Sequence, residues 1–213
     1  MEEYYKLKTL PQCNPNNVVQ GKNYRFTVLT PQLIRLEYCP ENQFKDHATQ
    51  VVLNRNFPKV SFRMVEKENA LEIITKDLHL CYNKKPFSKN GLSIEVLGNY
   101  SNYQNIWKYS DKLNDLLGTA RTLDNTAGSI PLEHGLLSVY GFSVLDDSGS
   151  LTLLDDGWVA PRKKKEIDLA LSEGKCTVFR RYARHGLALS RCRTRKRKWL
   201  NRLYMEPEAF PGS

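Results

Sequence analysis

The sequence has no apolar run approaching the roughly 20 residues that a membrane-spanning helix needs, so no such helix is expected. Its start, Met1-Glu2-Glu3-Tyr4-Tyr5-Lys6-Leu7-Lys8, lacks the basic and apolar regions of a secretory leader. Cysteine is sparse: Cys13, Cys39, Cys81, Cys176 and Cys192 are odd in number, widely scattered and never in C-x-x-C spacing. That pattern argues against a disulfide framework and against a zinc site. A reducing, cytoplasmic location is the expectation. The four histidines, His47, His79, His134 and His185, lie far apart and share no ligand spacing. No metal and no other cofactor is therefore expected. Repeats and low-complexity stretches are missing as well.

What is present suits a globular domain. A chain of 213 residues with 40% hydrophobic and 26% charged residues can bury roughly 70% of its unfolded surface and so build a true core. The net charge of +9 is unevenly placed. From Ala170 to Ser213 there are 11 Lys and Arg against 3 Asp and Glu, and from Met1 to Leu169 there are 21 against 20. The body is near neutral. The basicity belongs to the tail.

From Asn23 onward the pattern is that of strands. Tyr24 to Leu29 and Leu33 to Tyr38 alternate across a Thr30-Pro31 turn. Further strand candidates are Gln50 to Leu53, Val60 to Val65, Leu71 to Thr75, Leu78 to Tyr82 and Leu92 to Val96. Leu136 to Leu145, Leu151 to Leu154 and Trp158 to Pro161 continue the series, with Asp146-Asp147-Ser148-Gly149 read as a hairpin turn. Glu166 to Leu169 is strand-like, behind Arg162-Lys163-Lys164-Lys165, which reads as a solvated hairpin arm. No helical pattern of ten or more residues interrupts the series, which predicts an all-β, antiparallel sandwich. Leu116 to Gly128 reads as a long exposed loop, the usual seat of binding residues on a rigid sandwich. After Leu169 the strand signal collapses, and Val178 to Leu203 reads as an irregular or helical basic segment. The expected division is a sandwich over residues 1–169 and a tail over 170–213.

Six segments together resemble the N-terminal domain of glycoside hydrolase family 31, the α-glucosidase family. They are Leu29-Thr30-Pro31-Gln32-Leu33-Ile34-Arg35-Leu36-Glu37-Tyr38, Val52-Leu53-Asn54-Arg55-Asn56-Phe57-Pro58 and Leu117-Gly118-Thr119-Ala120-Arg121-Thr122-Leu123-Asp124. Then come Ile130-Pro131-Leu132-Glu133-His134-Gly135-Leu136-Leu137-Ser138, Gly141-Phe142-Ser143-Val144-Leu145-Asp146-Asp147-Ser148 and Asp156-Gly157-Trp158-Val159-Ala160-Pro161-Arg162. No single piece is diagnostic; their order is. The resemblance covers Tyr24 to Leu169, about seven tenths of the chain.

The resemblance implies a sandwich of the galactose-mutarotase-like kind that packs against a catalytic (β/α)8 barrel. It implies as well a parent enzyme that hydrolyses terminal α-glucosidic bonds with retention. Retention needs two carboxyls about 5–5.5 Å apart across the glycosidic bond. The family carries both on the barrel, with the nucleophile in a Trp-x-Asp-Met-Asn-Glu motif that this sequence lacks. The chain alone is thus expected to be inactive, with no catalytic residue of its own. By position, the family's loop to the barrel mouth is Thr122 to Thr126. Asp124, with Asn125 and Thr126, is the candidate for holding sugar hydroxyls at the pocket rim, since a carboxylate accepts two such bonds. An Asx-turn is the alternative for Asp124-Asn125.

Trp107 and Trp158 are candidates for stacking on sugar rings, with core or interface anchoring as the alternative. Asp146-Asp147 and Asp155-Asp156 read as turn chemistry, because neighbours on a strand face opposite ways. The expected partners are an α-glucoside or oligosaccharide, met through the barrel, and the barrel itself. No membrane is expected as a partner. Alternatives are a free-standing lectin-like sugar binder, and nucleic-acid binding through the Arg191 to Trp199 cluster. The tail continues as Ala170-Leu171-Ser172-Glu173-Gly174, unlike the family's aromatic strand. It is read as frame-shifted or disordered rather than as a nucleic-acid site.

Overall fold

The computed structural model describes residues 7, 9–44, 46–98, 104–117, 127–132, 138–162 and 166–173. The described residues form a short 3-10 turn, Pro15–Asn17, and thirteen strands. In chain order the first nine are β1 (Val18–Gln20), β2 (Tyr24–Thr30), β3 (Leu33–Tyr38), β4 (Ala48–Thr49), β5 (Arg63–Lys67), β6 (Ala70–Ile74), β7 (Leu78–Tyr82), β8 (Leu92–Val96) and β9 (Ile106–Lys108). The last four are β10 (Phe142–Asp146), β11 (Thr152–Leu153), β12 (Val159–Ala160) and β13 (Ile167–Glu173). Every ladder between them is antiparallel. The protein is an all-β sandwich. No helix among the described residues is long and apolar enough to cross a membrane.

Two five-stranded sheets, ordered β1-β2-β3-β13-β10 and β5-β6-β7-β8-β9, face each other. Alternation decides which side chains meet between them. Phe26 and Val28 of β2, Ile34 and Leu36 of β3, and Leu171 of β13 pack on Leu71, Ile73, Leu78, Leu80 and Ile94. Burying each such side chain stabilises the fold by about 1.5–3 kcal/mol. At one end Tyr24, Phe26, Tyr82 and Phe87 form edge-to-face and stacked pairs with centroids 4.9 to 6.0 Å apart. Thr75 ties the sheets by donating to the Pro31 carbonyl at 2.6 Å.

The first sheet is covered on its other face too. Leu29, Leu33 and Ala170 pack there on Val52 and Phe57 in a second, smaller core. The covering layer includes the three-stranded sheet β12-β11-β4. Every residue of β3 is accordingly buried, whereas β7 alternates buried and half-buried.

Several sequence expectations shift for local reasons. Gln50 to Leu53 is not a strand: the Thr49 hydroxyl accepts from the Val51 and Val52 amides, at 3.3 and 2.8 Å, and closes a turn. Pairing around Val60 starts only at Arg63, because the buried Asn17 side chain takes the nearby backbone groups. Asn17 donates to the Pro58 carbonyl (2.8 Å) and accepts from the Val60 amide (2.9 Å). Asp146 to Gly149 is a turn but makes no hairpin, since β10 pairs with β13 while β11 pairs with β12 and β4. The strand expected to end at Leu169 runs on to Glu173 between β3 and β10. The division placed between Leu169 and Ala170 therefore falls inside a central strand. The Val178 to Leu203 and Arg191 to Trp199 segments lie outside the described residues.

Candidate functional site

Strand alternation would put Arg25, Arg35 and Glu37 in water if the second face of the first sheet were open. They are buried instead, with Asp168. Direct pairing sets Arg25 against Glu37, and Glu37 against Asp168. Arg25 grips Glu37 through Nε (2.7 Å) and Nη2 (2.9 Å), and reaches Asp46 at 2.7 Å. Arg35 lies on the diagonal from Asp168, within reach of a long side chain. Its Nε and Nη2 donate to the two Asp168 oxygens at 2.8 and 2.7 Å.

The covering layer completes this network. Arg162 Nη2 donates to Asp168 at 2.7 Å and to Asp147 at 3.1 Å. Arg55 sits 3.6 Å from Asp147 and 3.9 Å from Asp168, and donates to the His47 carbonyl at 2.8 Å. The Thr49 hydroxyl donates to Asp147 at 2.9 Å. Four guanidinium groups thus face three buried carboxylates and, at the rim, the exposed Asp46, which together offset the charge that burial would otherwise leave unpaired. Arg162, expected in a solvated arm, is a corner of this cluster, because Asp147 and Asp168 offer it carboxylates beneath the covering layer. Asp146 and Asp156 do serve turns, accepting from the Ser148 and Trp158 amides, both at 2.9 Å.

Asp147 and Asp168 share one guanidinium nitrogen and are close enough to resemble a catalytic pair. Their surroundings preclude that use. Burial would raise the Asp168 carboxyl, but Arg35, Arg55 and Arg162 outweigh it and hold the group well below the carboxylate range. Asp147 is pushed up by burial and by the charge of Asp168, with Arg162 and Thr49 opposing. The adjoining cavity, lined by Glu37, His47, Thr152 and Arg162, holds only about 20 Å³, room for water but not for a sugar. The cluster clamps layers together.

An open groove of about 350 Å³ is lined by Lys89, Gln104, Lys108, Asp111, Lys112 and Tyr140, with Trp107 and Phe142 beneath. Lys89 donates to Asp111 (2.8 Å), and that bond lowers the Asp111 carboxyl below its ordinary value. Close to this groove the chain leaves for the loop of the candidate rim residues and returns from it. Asp115 bridges Ser138, and the Val139 amide donates to the Asn114 carbonyl at 3.2 Å. The segment between is therefore pinned at its root, beside groove residues Leu113 and Tyr140. Asp124, Asn125 and Thr126 themselves lie outside the described residues.

The two tryptophans differ. Trp107 is 2% exposed, a member of the larger core, with its ring edge-on to Tyr109 at 6.5 Å. So enclosed a ring presents no face for a sugar. Trp158 is 63% exposed at the tight turn between β11 and β12, where Gly157 takes φ 88°. With half-exposed Val159 beside it, Trp158 forms an apolar point on the covering layer.

Sequence reasoning passed over another cluster. His79 and Cys81 stand two apart on one face of β7, and Glu72 of β6 lies directly opposite Cys81. His79 Nε2 is 3.1 Å from Glu72 Oε2 and 3.4 Å from Cys81 Sγ. Counting histidines by their mutual spacing missed it; a His-x-Cys pair inside a predicted strand was the available signal.

No family model and no curated protein matches the chain. Among solved structures it is similar to a glycoside hydrolase family 31 dextranase, FjDex31A, of Flavobacterium johnsoniae. The likeness to its glucose complex has a TM-score of 0.41 at 10% identity, and to a variant complexed with isomaltotriose 0.41 at 13%. Each alignment covers 81% of this chain and 26% of the other, so the chain spans about a quarter of those enzymes' length. A likeness of this degree says nothing of activity.

Proposed function

We propose that this chain is the non-catalytic sandwich domain of a family 31 type carbohydrate enzyme, serving to brace a barrel that carries the chemistry. One observation carries the reading. Four of the segments that resemble the family, far apart in sequence, supply Arg35 and Glu37, Arg55, Asp147 and Arg162 to a single buried cluster. The resemblance therefore tracks a three-dimensional unit rather than isolated words. In this reading the Asp124 to Thr126 loop, rooted beside the groove, reaches the sugar pocket of the barrel. Trp158 and Val159 belong to the surface that leans on it. The parent activity is hydrolysis of terminal α-glucosidic bonds. Ala170 to Glu173 belong to the sandwich, and any foreign junction lies beyond them.

The test is a chromogenic α-glucoside assay on the purified chain, run beside calorimetric titration with glucose and maltose. Neither turnover nor saturable binding is expected. Robust turnover abolished by Asp124→Ala would overturn the brace reading in favour of a complete enzyme. Sugar affinity without turnover would favour the lectin-like alternative.

A further inference from the structure

We propose that Glu72, His79 and Cys81 form a binding site for a divalent transition-metal ion of the zinc type on the outer face of the second sheet. All three ligand atoms lie within 4.8 Å of one another. A tetrahedral ion with bonds of about 2.0–2.3 Å sets its nitrogen and sulfur ligands about 3.6 Å apart, and its nitrogen and oxygen ligands about 3.4 Å apart. The nitrogen–sulfur and nitrogen–oxygen separations of 3.4 Å and 3.1 Å are within a few tenths of an ångström of these values, and the sulfur and the carboxylate oxygen, within 4.8 Å of one another, close on the ion as the half-exposed Glu72 side chain turns. The donor set is chemically coherent: a thiolate and an imidazole select zinc-like ions over magnesium or calcium, and a carboxylate completes three protein ligands.

Two further features favour an ion here. The same ring nitrogen, His79 Nε2, is approached by both the carboxylate and the sulfur. A single proton on that nitrogen serves only one of them at a time, whereas a cation between the three serves all. The ligands also ride on β6 and β7, paired interior strands of a five-stranded sheet, so their spacing is fixed by the ladder. The side chains of His79 and Glu72 are 27% and 28% exposed, which leaves a path for the ion and room for water as fourth ligand. Glu95 stands opposite His79 on β8 and adds negative charge near the site. Lys67 reaches the other Glu72 oxygen at 3.7 Å and does not occupy the one facing His79.

The experiment titrates cobalt(II) into the full chain carrying Cys13→Ser, Cys176→Ser and Cys192→Ser, which removes thiols that would compete for the probe. A thiolate-to-cobalt charge-transfer band saturating at one equivalent, and bleached by zinc, is expected. Cys81→Ser should abolish the band. His79→Ala and Glu72→Gln should each weaken cobalt binding by about tenfold or more, with far-ultraviolet circular dichroism unchanged. Lys67→Ala should leave the band in place. Absence of the band in the parent chain, or its persistence in Cys81→Ser, overturns the site. So does unchanged affinity in both His79→Ala and Glu72→Gln.

Discussion

Replacing Asp168 with asparagine keeps the size of the side chain and removes one charge from a balanced cluster. Asp168 accepts from Arg35 at 2.8 and 2.7 Å and from Arg162 at 2.7 Å, with Arg55 a further 3.9 Å away. The variant therefore leaves three buried guanidinium groups short of one counter-charge. Removing one partner of a buried pair costs about 3–5 kcal/mol, and the remaining amide oxygen still accepts a bond, so about 3 kcal/mol is the expected loss. With a urea slope of about 2 kcal/mol/M, the unfolding midpoint falls by about 1.5 M. Fluorescence of buried Trp107 would follow the transition. The pH dependence supplies a sign. The folded-state carboxyl is held well below its unfolded value of about 3.9, so its contribution is complete above that pH. The contribution fades as acid protonates the folded form, and the gap between wild type and variant should narrow below about pH 4. A loss under about 1 kcal/mol, or a gap that persists undiminished in acid, would refute the clamp.

Asp147→Asn should behave differently from its neighbour. Its carboxyl is raised by burial and by Asp168, so at neutral pH ionisation counts against the folded state, and the penalty grows as pH rises through the folded value. The variant should lose less than half of what Asp168→Asn loses at pH 7, measured by the same urea curves. The tryptophans give a second contrast: Trp107→Ala should cost about 3–5 kcal/mol by emptying part of the core, whereas Trp158→Ala should stay within about 0.5 kcal/mol. Thermal unfolding of both variants would separate a core anchor from an exposed contact residue.

Much of the sandwich was legible because period-two alternation announces strands whatever lies beyond them. Leu33 to Tyr38, Leu78 to Tyr82 and Leu92 to Val96 match β3, β7 and β8 residue for residue. Pairing partners were not legible. The turn at Asp146 to Gly149 looks like a hairpin locally, yet β10 finds its partner in β13, more than twenty residues on. Burial of the second face was hidden for a related reason: alternating Arg25, Arg35 and Glu37 reads the same whether water or another layer lies above them. Only the distant Arg55, Asp147 and Arg162 reveal the layer, and no local pattern links those positions. Short β1 and β9, three residues each, carry too little periodicity to register. The candidate rim at Asp124 rests on resemblance, and what the structure adds is the anchoring of its loop beside the groove.

The place of β13 bears on how the chain is made. Its six pairs with β3 join positions more than 120 residues apart, and it fills the gap between β3 and β10. Until Glu173 has emerged from the ribosome, β3 presents a bare edge and Arg35 lacks its main counter-ion. Loop closure over that distance delays the last ladder. A nascent chain stalled short of Ile167 would hold an unfinished sheet open to pairing with its neighbours, so the interval before that strand arrives is when a chaperone matters most.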